Sequence, residues 1–192
     1  MKPQFYGKNS KKEGLWPAVA LTNPKFERNV AGIVRACSCY GVKQLWWSGN
    51  RVQIDPSRKR LPREERLRGY KDVELRHYDN FFDQFDPDVV PVAVELMPNS
   101  ESLTTFEHPE KALYVFGPED GSISQMHLRH CHRFIAIPSR HCLNLSAAVY
   151  TVLYDRQMKL NPEATIYDTL NENRGDFDFD DKELAQDMGL IR

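Results

Sequence analysis

Six short apolar runs punctuate this chain at intervals wide enough to hold helices, and they restrict it to few architectures. They are Ala18–Leu21, Gln44–Trp47, Val73–Tyr78, Val89–Leu96, Leu113–Phe116 and Phe134–Ile137. Most are continuously apolar rather than alternating, the pattern of strands buried on both faces of a parallel sheet. Helical spacing fills the gaps. Phe26–Tyr40 repeats Val, Ala and Ile three and four residues apart, and Ser122–Cys131 is shorter and weaker. Leu143–Lys159 puts Leu145, Ala148, Val149, Val152 and Leu153 on one face before Asn161 and Pro162 stop it. Strand and helix alternating in this way predict an α/β domain, a mostly parallel sheet flanked by helices.

At 192 residues the chain suits one such domain. We expect it over residues 1–160, with a basic loop at 50–72 included and an acidic tail over 161–192. No apolar stretch is long enough to span a bilayer, and the first residues lack the apolar core of a secretion signal. Four scattered cysteines, Cys37, Cys39, Cys131 and Cys142, read as reduced thiols, which makes the cytoplasm the expected compartment.

The formal net charge of −1 conceals an asymmetry. Residues 1–78 carry 17 Lys/Arg against 7 Asp/Glu, whereas residues 79–192 carry 9 against 20. One reading is a face that binds a polyanion; the other is that sequence halves are not spatial halves and the charges mix on the surface. The basic stretch holds Arg58, Lys59, Arg60, Arg63 and Arg66 around Pro56 and Pro62. They are the candidates for such a polyanion contact.

Three segments carry residues with chemical potential. The first runs from Asn29 through Gly32 to Arg35. Asn near a helix start is usually a cap. Arg35, set among Ile33, Val34, Ala36 and Cys37, has two readings: a surface side chain laying its stem on apolar neighbours, or a planar cation for an oxyanion. The second, Phe116-Gly117-Pro118-Glu119-Asp120-Gly121, is a strand entering a turn where glycine permits close approach to the backbone. It matches no phosphate-cradling pattern. The third runs from Ile137 and Pro138 through His141, Cys142 and Leu143 to Asn144, a polar loop opening an apolar helix. Asn144 reads as an N-cap and Cys142 as a small hydrophobe. A Cys/His nucleophilic pair is disfavoured, because sequence neighbours rarely face each other. Metal is not expected, for His127, His130, Cys131, His132, His141 and Cys142 show no zinc-type spacing.

In this order and with these gaps, the three segments resemble the SpoU/TrmH family of SPOUT RNA 2′-O-ribose methyltransferases over roughly residues 16–160. The likeness is strongest to its minimal, TrmL-like members. Asn29 to Arg35 is similar to the family's first motif, Phe116 to Glu119 to its second, and Ile137 to Asn144 with the following Leu-Ser-Ala-Ala to its third. The resemblance implies a C-terminal trefoil knot in the parallel α/β fold, a rare exception to unthreaded topology. It implies S-adenosyl-L-methionine as cofactor, RNA (tRNA or rRNA, not DNA) as partner, and a homodimer. Carried over residue by residue, it gives Arg35, Asn29, Glu119 and Asn144 as catalytic candidates. Glu95, Gly117, Ile137, Cys142 and Leu143 are the cofactor-binding ones. One departure stands out: many relatives carry Ser where this chain has Cys142, and a thiol is the weaker hydrogen-bond partner. Two other readings stand beside this one, a non-catalytic RNA- or ribosome-binding protein on the same fold and a methyltransferase acting on a base nitrogen.

Overall fold

The computed structural model describes residues 16–52 and 70–162. Every element below lies within one compact unit, Gln4–Leu160. Seven parallel strands make one sheet: β1 (Ala18–Thr22), β2 (Gln44–Ser48), β3 (Glu74–His77), β4 (Val90–Val94), β5 (Glu101–Ser102), β6 (Ala112–Phe116) and β7 (Arg133–Ala136). Their order is β3-β2-β1-β6-β4-β7-β5. Among the described residues three α-helices accompany them: α1 (Glu27–Cys39), α2 (Gln125–Leu128) and α3 (Leu145–Leu160).

The six apolar runs all became strands; β1, β2 and β6 are buried on both faces at every residue, whereas the edge strand β3 is largely exposed. Val19, Leu21, Leu45, Trp47 and Tyr114 face one core layer together with Ile33, Val149 and Leu153 of α1 and α3. Ala18, Ala20, Trp46, Leu113 and Val115 face the other, with Phe81, Ile123 and Leu128. The seventh strand, β5, escapes sequence reading. It is two residues long and polar, an edge piece formed only because β7 offers it a partner. The weak Ser122–Cys131 run shrinks to one helical turn, Gln125–Leu128, capped by the Ser124 side chain.

The connection from β4 to β6 goes round β7. It leaves β4 on the second layer, where Met97 packs, and forms β5 on the far side of β7. It returns on the first layer, where Leu103 and Phe106 are buried. The chain enters β7 from the second layer, past Leu128 and Cys131, and leaves to α3 on the first. Residues 95–111 thus place side chains on both layers and a strand beside β7. A polar network fastens this segment to α3. Arg156 donates to the carbonyls of Pro109 (2.6 Å) and Glu110 (2.8 Å), and Lys159 donates to that of Phe106 (3.1 Å). His108, its side chain wholly buried, lies between the Tyr114 hydroxyl (2.6 Å) and the Asp155 carboxylate (2.8 Å).

Helices α1 and α3 lie together on the first layer. They approach each other at Gly32, where a Cβ would come 3.0 Å from Ser146 Oγ. Tyr40 and Tyr150 meet edge to face, centroids 6.2 Å apart.

Candidate active site at the C-terminal edge of the sheet

Because every strand is parallel, the loops after β1, β4, β6 and β7 emerge along one edge, where ligands of open α/β sheets bind. A hydrogen-bonded relay joins three of them. Helix α1 starts after Phe26, which makes no side-chain cap hydrogen bond. Glu119, arriving from the loop after β6, binds the backbone just before the helix. Its carboxylate accepts from the backbone N–H of Lys25 (2.7 Å) and of Phe26 (3.2 Å), and from Asn29 Nδ2 (2.7 Å). The carbonyl oxygen of the buried Asn29 side chain in turn accepts from Asn144 Nδ2 (3.1 Å). Asn144 Oδ1 accepts from the backbone of Ser146 (2.9 Å) and Ala147 (3.5 Å), capping α3. Asn144 is therefore a cap, as expected, and also a link. Asn29 is not a cap: it sits inside the first turn and spends its amide on Glu119 and Asn144.

Burial pushes the Glu119 carboxyl up, but donation from Asn29 and from the backbones of Lys25 and Phe26 outweighs it and holds the group below the usual glutamate range. The positive end of the α1 dipole acts in the same sense. Glu119 is accordingly an anion at neutral pH, with its lone pairs already engaged. That suits it to hold the loops rather than to move a proton.

Beside it stands a cluster that the sequence pattern did not reveal. Asp120 accepts from Lys25 Nζ (2.9 Å) and from Arg51 Nη1 (2.9 Å), and these two cations hold its carboxyl down at about 2. The Arg51 guanidinium also donates to the Asn23 carbonyl from Nε (3.1 Å) and Nη2 (2.6 Å). Asn23 adopts a left-handed backbone (φ 49°) against Gly49 (φ 81°), where any Cβ would lie 2.3 Å from Asn23 Oδ1. Only the Asn23-Pro24 and Gly49-Asn50 turn pairs hinted at this meeting.

The remaining candidates spread along the same edge. Glu95 uses its carboxylate on the backbone N–H of Ile123 (2.9 Å) and of its neighbour Leu96 (3.2 Å), so it braces the loop after β6. Gly117 lies against that loop, where a Cβ would be 3.1 Å from Ile123 N. Ile137 is half-buried and follows β7, and Cys142 is exposed. Leu143 is 41% exposed and Leu96 81%, so apolar side chains face outward on two of these loops. Arg35 sits six residues beyond Asn29 on α1, about 9 Å further along the axis. It is half-buried, and its guanidinium lies near the Cys39 thiol one turn on, which it draws down against the stronger upward push of burial. The sequence brings Asn29, Glu119 and Asn144 into direct contact; Arg35 stands further along α1. Arg58, Lys59, Arg60, Arg63 and Arg66 lie outside the described residues. Among those residues no helix is long and apolar enough to cross a membrane.

The model of the SpoU rRNA Methylase family matches residues 17–154. No curated protein matches the chain. Several solved structures share the fold. A structure giving insights into the 2-OH methylation of C/U34 on tRNA has a TM-score of 0.62 at 22% identity, covering 75% of this chain and 90% of that one. The A. aeolicus TrmH/SpoU tRNA modifying enzyme has a TM-score of 0.63 at 19% identity, covering 91% and 89%. The SpoU methyltransferase AviRb from Streptomyces viridochromogenes, in complex with the cofactor AdoMet, has a TM-score of 0.64 at 17% identity, covering 77% and 58%. With all three motif segments inside the span that the family model matches, the chain belongs to the SpoU rRNA methylase family and is an RNA methyltransferase.

Proposed function

We propose that the protein transfers the methyl group of S-adenosylmethionine to a ribose 2′-hydroxyl of tRNA or rRNA, acting as a homodimer in the cytoplasm. The observation that carries this reading is the Glu119–Asn29–Asn144 relay, which fixes the loops after β1, β6 and β7 around one edge of the sheet. Ribose rather than base as the target is supported by the neighbour solved for 2-OH methylation. The dimer is supported by the exposed apolar side chains Tyr154 (55%) and Leu160 (51%) on α3.

The edge fits the cofactor on its own chemistry. Leu96 and Leu143 offer apolar surface, and Gly117 leaves the backbone bare beside Ile123. The backbone at Glu95, Gly117, Ile137, Cys142 and Leu143 would hold it. When bound, the cofactor supplies an electrophilic methyl on a sulfonium. What is left to this chain is placement and charge. Placing the hydroxyl oxygen in line needs loops that do not drift, and the relay supplies that rigidity. Negative charge growing on the oxygen needs a fixed donor. We assign that donor role to Arg35, whose guanidinium keeps its proton in proteins and so serves as donor or phosphate anchor, never as base. Asn29, Glu119 and Asn144 are positioning residues in this scheme. Arg58, Lys59, Arg60, Arg63 and Arg66 would neutralise RNA phosphates.

Two measurements test the proposal together. Calorimetry should show S-adenosylmethionine binding to the purified protein. Mass spectrometry of nucleosides from cells with and without the gene should show one 2′-O-methyl nucleoside lost. A lost base-methylated nucleoside would replace ribose by base, and absence of cofactor binding would remove the enzymatic reading.

A further inference from the structure

Phe26 is an aromatic side chain left in solvent at the edge of the site. It is 39% exposed, at the position that begins α1, and two cations flank its ring. Lys25 Nζ lies 5.3 Å from the centroid and the Arg28 guanidinium carbon 5.1 Å. Its backbone is not loose: the amides of Lys25 and Phe26 both end on Glu119, one bond from Asn29 in the relay. Lys25 also pairs with Asp120, which holds Arg51 at the entrance to the basic 53–69 stretch. An exposed aromatic on a rigid mount, ringed by cations, is the arrangement by which proteins hold unstacked nucleotides.

From this we infer that Phe26 is a stacking platform for a base of the RNA substrate next to the methylated nucleotide, with Lys25 and Arg28 taking its phosphates. The inference rests on the RNA methyltransferase reading above and adds to it a residue that recognises substrate. Exchange on the ring is downhill, because an exposed cation–aromatic contact is weaker than a base stacked on the same face. The displaced cations are long and exposed, so they swing from ring to phosphate without disturbing α1. The competing role for Phe26 is an apolar lid on the first turn of the helix. Leucine would serve a lid equally well and a platform poorly.

The test uses the full chain and total RNA from cells lacking the gene, in filter binding and as methyl acceptor. Phe26→Ala and Phe26→Leu should each weaken RNA binding and raise the RNA KM about tenfold, a loss within the range of one stacked base. Phe26→Trp should stay within twofold of wild type. Cofactor affinity and kcat should not move. Lys25→Ala with Arg28→Ala should flatten the salt dependence of binding, whereas Phe26→Ala should leave its slope unchanged. Wild-type behaviour of Phe26→Leu overturns the platform, as does an unchanged RNA affinity in Phe26→Ala. If the wild-type protein transfers no methyl group, the enzymatic reading fails while the binding comparison still decides the role of Phe26.

Discussion

Asn144 reaches Asn29 across 115 residues of sequence, Nδ2 to Oδ1 at 3.1 Å, and so couples the start of α3 to the start of α1. Neither asparagine works alone. Asn144→Ala removes a helix cap and this link together, and should lower stability by about 1–2 kcal/mol. Asn29→Ala breaks the relay in the middle and leaves Glu119 short of one donor. A thermal-denaturation cycle of Asn29→Ala with Asn144→Ala should give less than additive losses, with a coupling of about 0.5–1.5 kcal/mol. Strict additivity would mean that the two amides do not cooperate.

Arg35→Ala should reduce methyl transfer by about 10²- to 10³-fold, the usual cost of a preorganised donor, with cofactor affinity preserved. Arg35→Lys should recover little, since a point charge does not reproduce a planar fork. Single-turnover assays beside calorimetry read both. Full turnover by Arg35→Ala would remove the role assigned to it.

Gly32→Ala sets helix propensity against packing. Alanine favours the helix by about 0.8–1 kcal/mol, yet its Cβ would sit 3.0 Å from Ser146 Oγ and 3.2 Å from Ser146 Cβ. Rotating the hydroxyl relieves only the first contact, so a net loss is expected. Gly32→Ala combined with Ser146→Gly should be more stable than Gly32→Ala combined with wild-type Ser146, as measured by urea denaturation.

Glu119 and His108 are among the groups that make stability fall with acid. Glu119 has a folded pKa below its ordinary 4.5, so its contribution is complete above that value and disappears as pH drops through the lower folded one. His108 has its pKa depressed from 6.5, chiefly by burial, against the opposing pull of Asp155. Being neutral when folded, it too stabilises above 6.5 and loses that stability as pH falls through its folded value. The network fixes its tautomer: Nε2–H donates to Asp155 and Nδ1 accepts from Tyr114, whose oxygen takes an Arg156 N–H at 3.2 Å. Denaturation midpoints of His108→Gln should be flatter than wild type between pH 7 and 5. A slope unchanged there would exclude His108 as the source.

Much of this architecture is legible in the sequence because burial on two faces leaves a mark that local reading detects. Val90–Val94 and Ala112–Phe116 are apolar without interruption, and α3 shows Leu145, Val149, Val152 and Leu153 at helical spacing. The polar fittings leave no such mark. Glu119 holds the approach to a helix 93 residues upstream, and Arg51 meets Asp120 across 69. Such partners are chosen by the fold, not by neighbours. The roles of Asn29 and Glu119 were reachable only through the family resemblance, and that resemblance was silent on Asp120, Phe26 and Arg51. Strand β5 was invisible because two polar residues become a strand only when β7 arrives.

The position of β7 between two partners has a mechanical consequence. An edge strand can be peeled sideways from its sheet, one ladder bond at a time. β7 is paired on both sides, by β4 and β5, and the segment that carries β5 is fastened to α3 through Arg156 and Lys159. Opening this edge of the sheet therefore requires several contacts to fail at once, and adaptation to a new RNA would fall to the rim, where Phe26, Lys25 and Arg28 stand.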